Sequence, residues 1–324
     1  MFKWEKLGKL FDPGERQSGS WMHAFAQSPS VVLYETHVRV YFCTRPKPDA
    51  DGMYLSYLAY LDLDRRNLLD IVKVCKRPLL NLGARGTFDE FGTNPISVIR
   101  DGDEMRVYYA GWTRCESVPI NGAIGVAISR DGGESFVRLG DGPVLSYGPD
   151  EPFMLGSPRI RKFGATWYLW YVSGKEWLKT EGKPEPVYRI RMASSEDGLN
   201  WVKHGRDLLE RRLGEHECQA CPDVLFAGGR YHMFFSYRRS HHYKSREGGY
   251  RIGYAFSDDM LNWQRCDEMA GMEVSASGWD SQMVNYPHVF MLDGETYMLY
   301  QGNDMGRTGI GLARLVSPRD WGRH

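Results

Sequence analysis

Five prolines, Pro29, Pro95, Pro158, Pro222 and Pro287, divide the chain at intervals of 66, 63, 64 and 65 residues, and one short pattern follows each of them. Thirteen residues after each proline stands an aromatic: Phe42, Tyr108, Tyr171, Phe235 and Tyr300. The position before it is apolar every time: Tyr41, Val107, Trp170, Phe234 and Leu299. Between proline and aromatic lies a turn signal, Asp101-Gly102, Gly164, Gly228-Gly229 and Asp293-Gly294, with Glu35-Thr36 the weakest copy. The pattern predicts a hairpin at the start of each unit. A third apolar run follows, and three of these runs end in a similar polar turn and a ring: Ser129-Arg130-Asp131-Gly132 before Phe136, Ser195-Glu196-Asp197-Gly198 before Trp201, and Ser257-Asp258-Asp259 before Trp263. One such unit cannot bury its apolar face alone, so the copies must stack on one another.

Four short antiparallel strands repeated around an axis make a propeller blade. The reading is therefore all-β: a single domain, a five-bladed β-propeller of four-stranded antiparallel blades over about 24–87, 88–148, 149–212, 213–276 and 277–315. Too few residues remain after Pro287 for a fourth strand, and the segment Trp4 to Phe11 has no unit of its own. Residues 1–11 are predicted to supply the outer strand of the last blade and close the ring, which leaves no open edge. The 41 basic and 41 acidic residues cancel, so charge gives no case for a nucleic-acid or membrane partner. Six scattered cysteines and no apolar leader read as a reduced, cytoplasmic protein, a monomer or small homo-oligomer. Cys218 and Cys221 have the C-x-x-C spacing of metal and redox sites, but no second pair accompanies them, and they read as two small buried residues, with no metal assigned.

The innermost strands of a propeller converge on a central tunnel, so the residues just before each proline are the ones to read for chemistry. Four of the five loops carry a carboxylate there, Asp89, Glu151, Glu217 (with Glu215) and Asp280, and the first offers His23. Carboxylates interleaved with Trp21, Phe153, Trp279 and Tyr286 suit a carbohydrate, whose C–H faces stack on rings and whose hydroxyls need polar partners. Cleavage of a glycosidic bond needs a paired acid and base. Each carboxylate could equally cap a turn or pair with an arginine.

The repeated unit, as in Asn94-Pro95-Ile96-Ser97-Val98-Ile99-Arg100-Asp101-Gly102 to Val107-Tyr108-Tyr109, and the Ser-x-Asp-Gly turns resemble the five-bladed propeller glycoside hydrolases and phosphorylases of families 43, 32, 62, 68 and 130 over the whole chain. The resemblance implies a glycosidase with Glu151 as general acid, Asp280 or Asp89 as base, and Glu217 binding hydroxyls or tuning the others. Pro152-Phe153 would shield Glu151 and raise its pKa. Trp21, His23, Asn94, Arg159, His216, Trp279, Gln282 and Tyr286 would contact a carbohydrate substrate. No cofactor is required, and a structural ion in the tunnel is compatible with the resemblance. The chain departs from the pattern where families 43 and 32 commonly place an aspartate directly before a blade proline, for here stand Ser28, Asn94, Ser157, Cys221 and Tyr286. A phosphorylase is the alternative, with Arg45, Arg114, Arg159, Arg238, Arg239, His241 and His242 as candidate phosphate ligands, and a catalytically inactive sugar-binding propeller is the other.

Overall fold

A computed structural model describes residues 1–15, 20–180, 182–317 and 321. Each of the first four proline units forms one four-stranded antiparallel sheet with its strands in chain order from the axis outward, and the fifth supplies three strands of such a sheet. Blade 1 consists of Ala24–Leu33, His37–Arg45, Tyr57–Asp64 and Ile71–Val74, and blade 2 of Thr93–Asp101, Glu104–Arg114, Ile120–Ser129 and Val137–Arg138. Blade 3 consists of Leu155–Phe163, Thr166–Thr180, Lys183–Ser195 and Val202–Lys203, and blade 4 of Glu217–Ala227, Arg230–Arg239, Arg251–Ser257 and Gln264–Arg265. Blade 5 joins Asn285–Leu292, Glu295–Gln301 and Ile310–Ser317 to the N-terminal strand Lys3–Phe11, which pairs antiparallel with Ile310–Ser317. The expected closure of the ring by the N-terminus is observed. No helix among the described residues is long and apolar enough to cross a membrane.

A side chain close behind each proline ties its inner strand to the next blade. Ser30 Oγ accepts from Val98 N at 2.9 Å and Ser97 Oγ from Ile160 N at 3.1 Å, while Arg161 Nε donates to Val224 O at 2.8 Å. Asp223 Oδ2 accepts from Val289 N, and His288 Nε2 accepts from Val31 N at 2.9 Å, which brings the circuit back to blade 1. Pairing these buried polar groups avoids about 1–3 kcal/mol of desolvation cost for each. The polar turns lock neighbouring blades farther out: Tyr41 Oη donates to Gly133 O and Tyr108 Oη to Gly198 O.

Blade 2 departs from the proline ruler by one residue. In the other four blades the residue after the proline lies opposite the twelfth, as Ser30 faces Tyr41 and Arg159 faces Trp170, but Ile96 faces Tyr109, the fourteenth. The repeat aromatic of blade 2 is thus structurally Tyr109. Every inner strand carries its bulge here, at the left-handed residues Ser28, Ser157, Cys221 and Tyr286 and at the cis Asn94–Pro95 peptide.

Closure also has an apolar component. Trp4 packs edge-on against Phe234 at 5.8 Å and donates its indole N–H to Ala270 O at 3.0 Å, so the N-terminal strand is anchored on blade 4 as well as blade 5. Trp4→Ala is expected to cost about 3–5 kcal/mol. A urea titration in which the variant loses less than about 1 kcal/mol would show that closure does not depend on this side chain.

Candidate functional site

The four loop carboxylates do not meet around one pocket. Each turns outward inside its own blade and pairs with a cation on that blade's outer strand. Asp89 Oδ2 lies 2.7 Å from Arg138 Nε, Glu151 Oε2 2.5 Å from Lys203 Nζ, Glu217 Oε1 2.6 Å from Arg265 Nη1, and Asp280 Oδ2 2.7 Å from Lys6 Nζ. In three blades a tyrosine twenty residues on donates to the same carboxylate: Tyr109 to Asp89, Tyr171 to Glu151, Tyr300 to Asp280. In blade 4 the repeat aromatic is Phe235, which has no hydroxyl, and there Gln219 Nε2 and the backbone N–H groups of Arg212 and Leu213 donate to Glu217 instead. These are latches between the entry to each blade and its rim. The raised carboxyl expected at Glu151 is reversed, because burial alone would raise it but Lys203, Tyr171 and Arg191 hold it below the ordinary glutamate range. A general acid needs the opposite shift.

A cavity of about 300 Å³ opens at the tunnel mouth, and it is lined by another set of residues. Its floor carries Asn94, Ser157 and Tyr286 from the bulges; its walls include Tyr54, Phe91, Trp112, Tyr188 and Met154; Gln27, Arg45 and Arg114 supply polar groups. No aspartate or glutamate is among the described lining residues. The volume is at the lower end of the roughly 300–1,000 Å³ typical of small-molecule sites. Trp112 Nε1 donates to Asn94 O at 2.7 Å and Ser28 Oγ to Asn94 Oδ1 at 3.3 Å, which fixes the amide and leaves its N–H groups for a ligand.

Arg45 is the unusual group in this cavity. Its guanidinium carbon lies 4.4 Å from the centre of the Phe25 ring, 5.3 Å from Tyr54 and 4.8 Å from Trp112, and it has no carboxylate partner among the described residues. Its Nε has no hydrogen-bond partner. Burial brings its pKa down to about 10, so it remains a cation at neutral pH. Aromatic faces offset part of the desolvation, but an uncompensated charge remains. Arg114 also reaches the cavity, stacked on Phe91 at 4.3 Å and paired with Asp49 at 2.8 Å.

Of the expected substrate contacts, Asn94 and Tyr286 line this cavity. The others lie elsewhere, each for a visible reason. Trp21 packs edge-on against Tyr57 at 6.3 Å, and His23 is exposed. Trp279 is a wedge: a Cβ on Gly311 would come within 2.4 Å of its ring, and Tyr300 lies 5.3 Å away. His216 faces outward to Glu176 at 3.2 Å, and Gln282 is exposed, its backbone tied to Asn303 and Arg251. Cys218 and Cys221 are buried free thiols, and no group of three or more metal-ligating side chains occurs among the described residues.

Arg159 lies below the cavity, in a buried cluster that plugs the axis. It is 3.3 Å from Asp223 and 3.0 Å from His288 Nδ1, and Arg161 approaches Asp223 at 2.6 Å. His288 Nε2 accepts from Val31, so its proton sits on Nδ1, 3.4 Å from Asp223 Oδ2. Burial lowers the His288 pKa from 6.5 to about 4, while burial of Asp223 is outweighed by Arg161, Arg159 and His288, which hold it below its usual 3.8. The signs agree. From pH 6.5 down to about 4 the unfolded chain takes up a proton that folded His288 refuses, and below 3.8 the Asp223 contribution is lost as well. Stability is expected to fall by on the order of 3 kcal/mol over the histidine window alone. Urea midpoints at pH 7, 5 and 4 check this, and a His288→Gln variant that keeps the full slope between pH 6.5 and 4 would assign it to other groups.

Of the arginines expected as phosphate ligands, Arg45 and Arg114 line this cavity, while Gln27, Trp112 and Tyr188 line it without having been expected. Sixteen residues after each repeat proline, counted from Ile96 in blade 2, stand Arg45, Trp112, Gly174 and Arg238 in the second strands and Asn303 just beyond the last of them. Two are arginines without a carboxylate partner among the described residues, and each is enclosed by three aromatic rings; Arg238 lies 3.8 Å from the Tyr243 ring, 5.1 Å from Tyr250 and 5.6 Å from Tyr188.

No family model matches the chain. It is 35% identical over 312 residues to the uncharacterized protein Rv1502 of Mycobacterium tuberculosis (strain ATCC 25618 / H37Rv), covering 96% of this chain and 99% of that one. It is 28% identical over 201 residues to the 1,2-beta-oligomannan phosphorylase of Thermoanaerobacter sp. (strain X514), covering 60% and 59% of the two chains. Among solved structures, a glycoside hydrolase superposes with a TM-score of 0.75 at 17% identity over 100% of this chain and 94% of the other. A structure from the GH130 family of mannoside phosphorylases, a family described as containing glycoside hydrolases that target beta-1,2 mannosidic linkages in Candida mannan, gives 0.71 at 15% identity, over 99% and 94%. At these identities the superpositions establish the five-bladed propeller fold.

Proposed function

We propose that this chain, which belongs to the family of the mycobacterial protein Rv1502, is a carbohydrate-active enzyme that binds a glycoside at the tunnel mouth and transfers its glycosyl group to inorganic phosphate held by Arg45. The observation that carries this reading is a half-buried guanidinium without a carboxylate partner, facing a cavity whose described lining contains no carboxylate. Aromatic walls suit the C–H faces of a sugar ring, and the amides of Gln27 and Asn94 suit its hydroxyls. Hydrolysis by an acid and base pair would need two carboxylates that this lining does not supply. Phosphorolysis asks less of the protein. A phosphate oxygen forms the new bond to the anomeric carbon, the bond from that carbon to the leaving oxygen breaks, and a monoanionic phosphate supplies the proton which the departing alcohol takes up. Arg45 would orient the anion and lower its charge in the transition state. The partial likeness to an oligomannan phosphorylase supports the same reading and makes β-1,2-linked mannosides the first substrates to test.

The test is incubation with β-1,2-mannooligosaccharides and a wider panel of oligosaccharides, with and without phosphate, followed by ³¹P NMR. A phosphate-dependent sugar 1-phosphate is the expected product. Release of free sugar at the same rate without phosphate would sink the proposal and restore hydrolysis. A second reading, binding without cleavage, draws on the same lack of lining carboxylates; saturable sugar binding with no product in either buffer would select it.

A further inference from the structure

A second cavity, of about 490 Å³, lies where the long hairpin of blade 3 meets the loop after the second strand of blade 4. Its chemistry differs from that of the tunnel mouth. Lys183, His241, His242, Tyr243, Lys244 and Ser245 line it, and its one described carboxylate, Glu185, accepts a hydrogen bond from Tyr243 Oη at 3.3 Å. Neither Lys183 nor Lys244 has an ion-pair partner among the described residues, so the described lining carries two ammonium groups against one carboxylate.

The loop that presents these groups is shaped in advance. His242 adopts a left-handed φ of 54°, which few non-glycine residues take without being held. Ser245 Oγ donates to His242 O at 3.0 Å, and Gly248 N donates to Ser245 Oγ at 3.1 Å. Gly248 cannot be replaced without moving this turn, because a Cβ there would come within 2.3 Å of His242 O.

The two cavities share a wall. The strand Lys183–Ser195 offers Lys183 and Glu185 to the second cavity and Pro186 and Tyr188 to the first. Tyr243 stacks on Arg238 at 3.8 Å, and Arg238 Nη2 donates to Tyr188 Oη at 3.1 Å. A ligand whose ring lies against Tyr188 would therefore have its next substituent beside the lysines and histidines.

We propose that this second cavity binds an anionic group, a carboxylate or a phosphate monoester, carried by the sugar whose ring occupies the tunnel mouth. The inference rests on the carbohydrate reading above and adds the class of substrate: an acidic or phosphorylated glycoside. The ammonium groups of Lys183 and Lys244, the latter on a shaped loop beside His241, complement either anion through charge-assisted hydrogen bonds.

Acetate and methyl phosphate, the smallest members of the two classes, are titrated into the full chain while the imidazole Cε1–H resonances of His241 and His242 are followed by NMR. Saturable shifts are expected with at least one of them, and the tighter anion identifies the class. In the K183Q/K244Q variant the affinity should fall by about tenfold or more, the equivalent of one charge-assisted hydrogen bond. Absence of a saturable shift with both anions, or unchanged affinity in K183Q/K244Q, overturns the proposal. Arg45→Met separates it from the phosphorylase reading. If the shifts vanish in that variant, the anion binds at the tunnel mouth alone, and the second site is wrong while the phosphate reading stands. If the shifts persist and no phosphate-dependent turnover is found, only the phosphate reading fails.

Discussion

Arg45→Met is expected to reduce phosphate-dependent turnover by about 10²–10³-fold, the usual loss when one preorganised group on a developing charge is removed. The same change should leave the melting temperature unchanged or slightly raised. That combination is the informative part. A guanidinium with no carboxylate partner contributes little to folding, because its desolvation is offset only by the faces of Phe25, Tyr54 and Trp112. Methionine fills much of the volume without the charge. Arg45→Lys keeps the charge but not the planar fork or the stacking, and should recover only part of the activity. A variant that loses stability and activity together would make Arg45 a packing residue and remove the observation on which the functional reading rests. Steady-state kinetics at varied phosphate, with calorimetric melting of both variants, decides between these results.

Glu217→Gln is expected to do the opposite, costing about 3–5 kcal/mol of stability, as breaking a buried ion pair does, with no effect on ligand affinity in the protein that remains folded. Both Glu217 and Arg265 are fully buried. Loss of the carboxylate charge leaves Arg265 with Asp267 as its remaining carboxylate partner and weakens the bonds that hold the backbone of Arg212 and Leu213. The corresponding change at Asp280 should cost less, because Lys6 is a quarter exposed and water can replace its partner. Glu217→Gln combined with Arg265→Met should recover part of the loss, since removing both charges also removes the desolvation cost. If Glu217→Gln instead kept its melting temperature and lost turnover, the latch would be a catalytic group after all. Denaturant titrations of the single and double variants, with affinity measured on each, provide the comparison.

The contrast between these two residues explains how much of the site was legible. Glu217, Asp89, Glu151 and Asp280 stood out because they recur at one place in four blades, and recurrence in a repeat protein reports first on what every blade needs for itself. Four of the five blades join their entry to the outer strand through a carboxylate beside a lysine or arginine. A site on the axis is built differently, with each blade contributing a different side chain to one cavity. Arg45, Trp112, Gln27 and Tyr188 share no residue type, so no repeat signal marks them as a set. The ruler did reach Asn94 and Tyr286, since the residues at the bulges point to the axis whatever their identity. Its offset in blade 2 was hidden because Tyr108 and Tyr109 are both tyrosines, and only the pairing of Ile96 with Tyr109 reveals which one is equivalent.

By itself, the sequence determined the architecture. Prolines at a near-constant interval, turn residues between apolar runs and an unassigned N-terminal strand leave one economical arrangement, because strand periodicity, turn chemistry and the need to close an edge are local properties that a chain carries in its residue order. Tertiary structure alone decided which charges are compensated. Asp89 and Arg138 lie far apart in the chain and meet across a blade, Glu217 and Arg265 likewise, whereas Arg45 meets only aromatic rings. A charge's role depends on what lies within a few ångströms of it and on how much water is excluded there, and both are set by blades folding against one another.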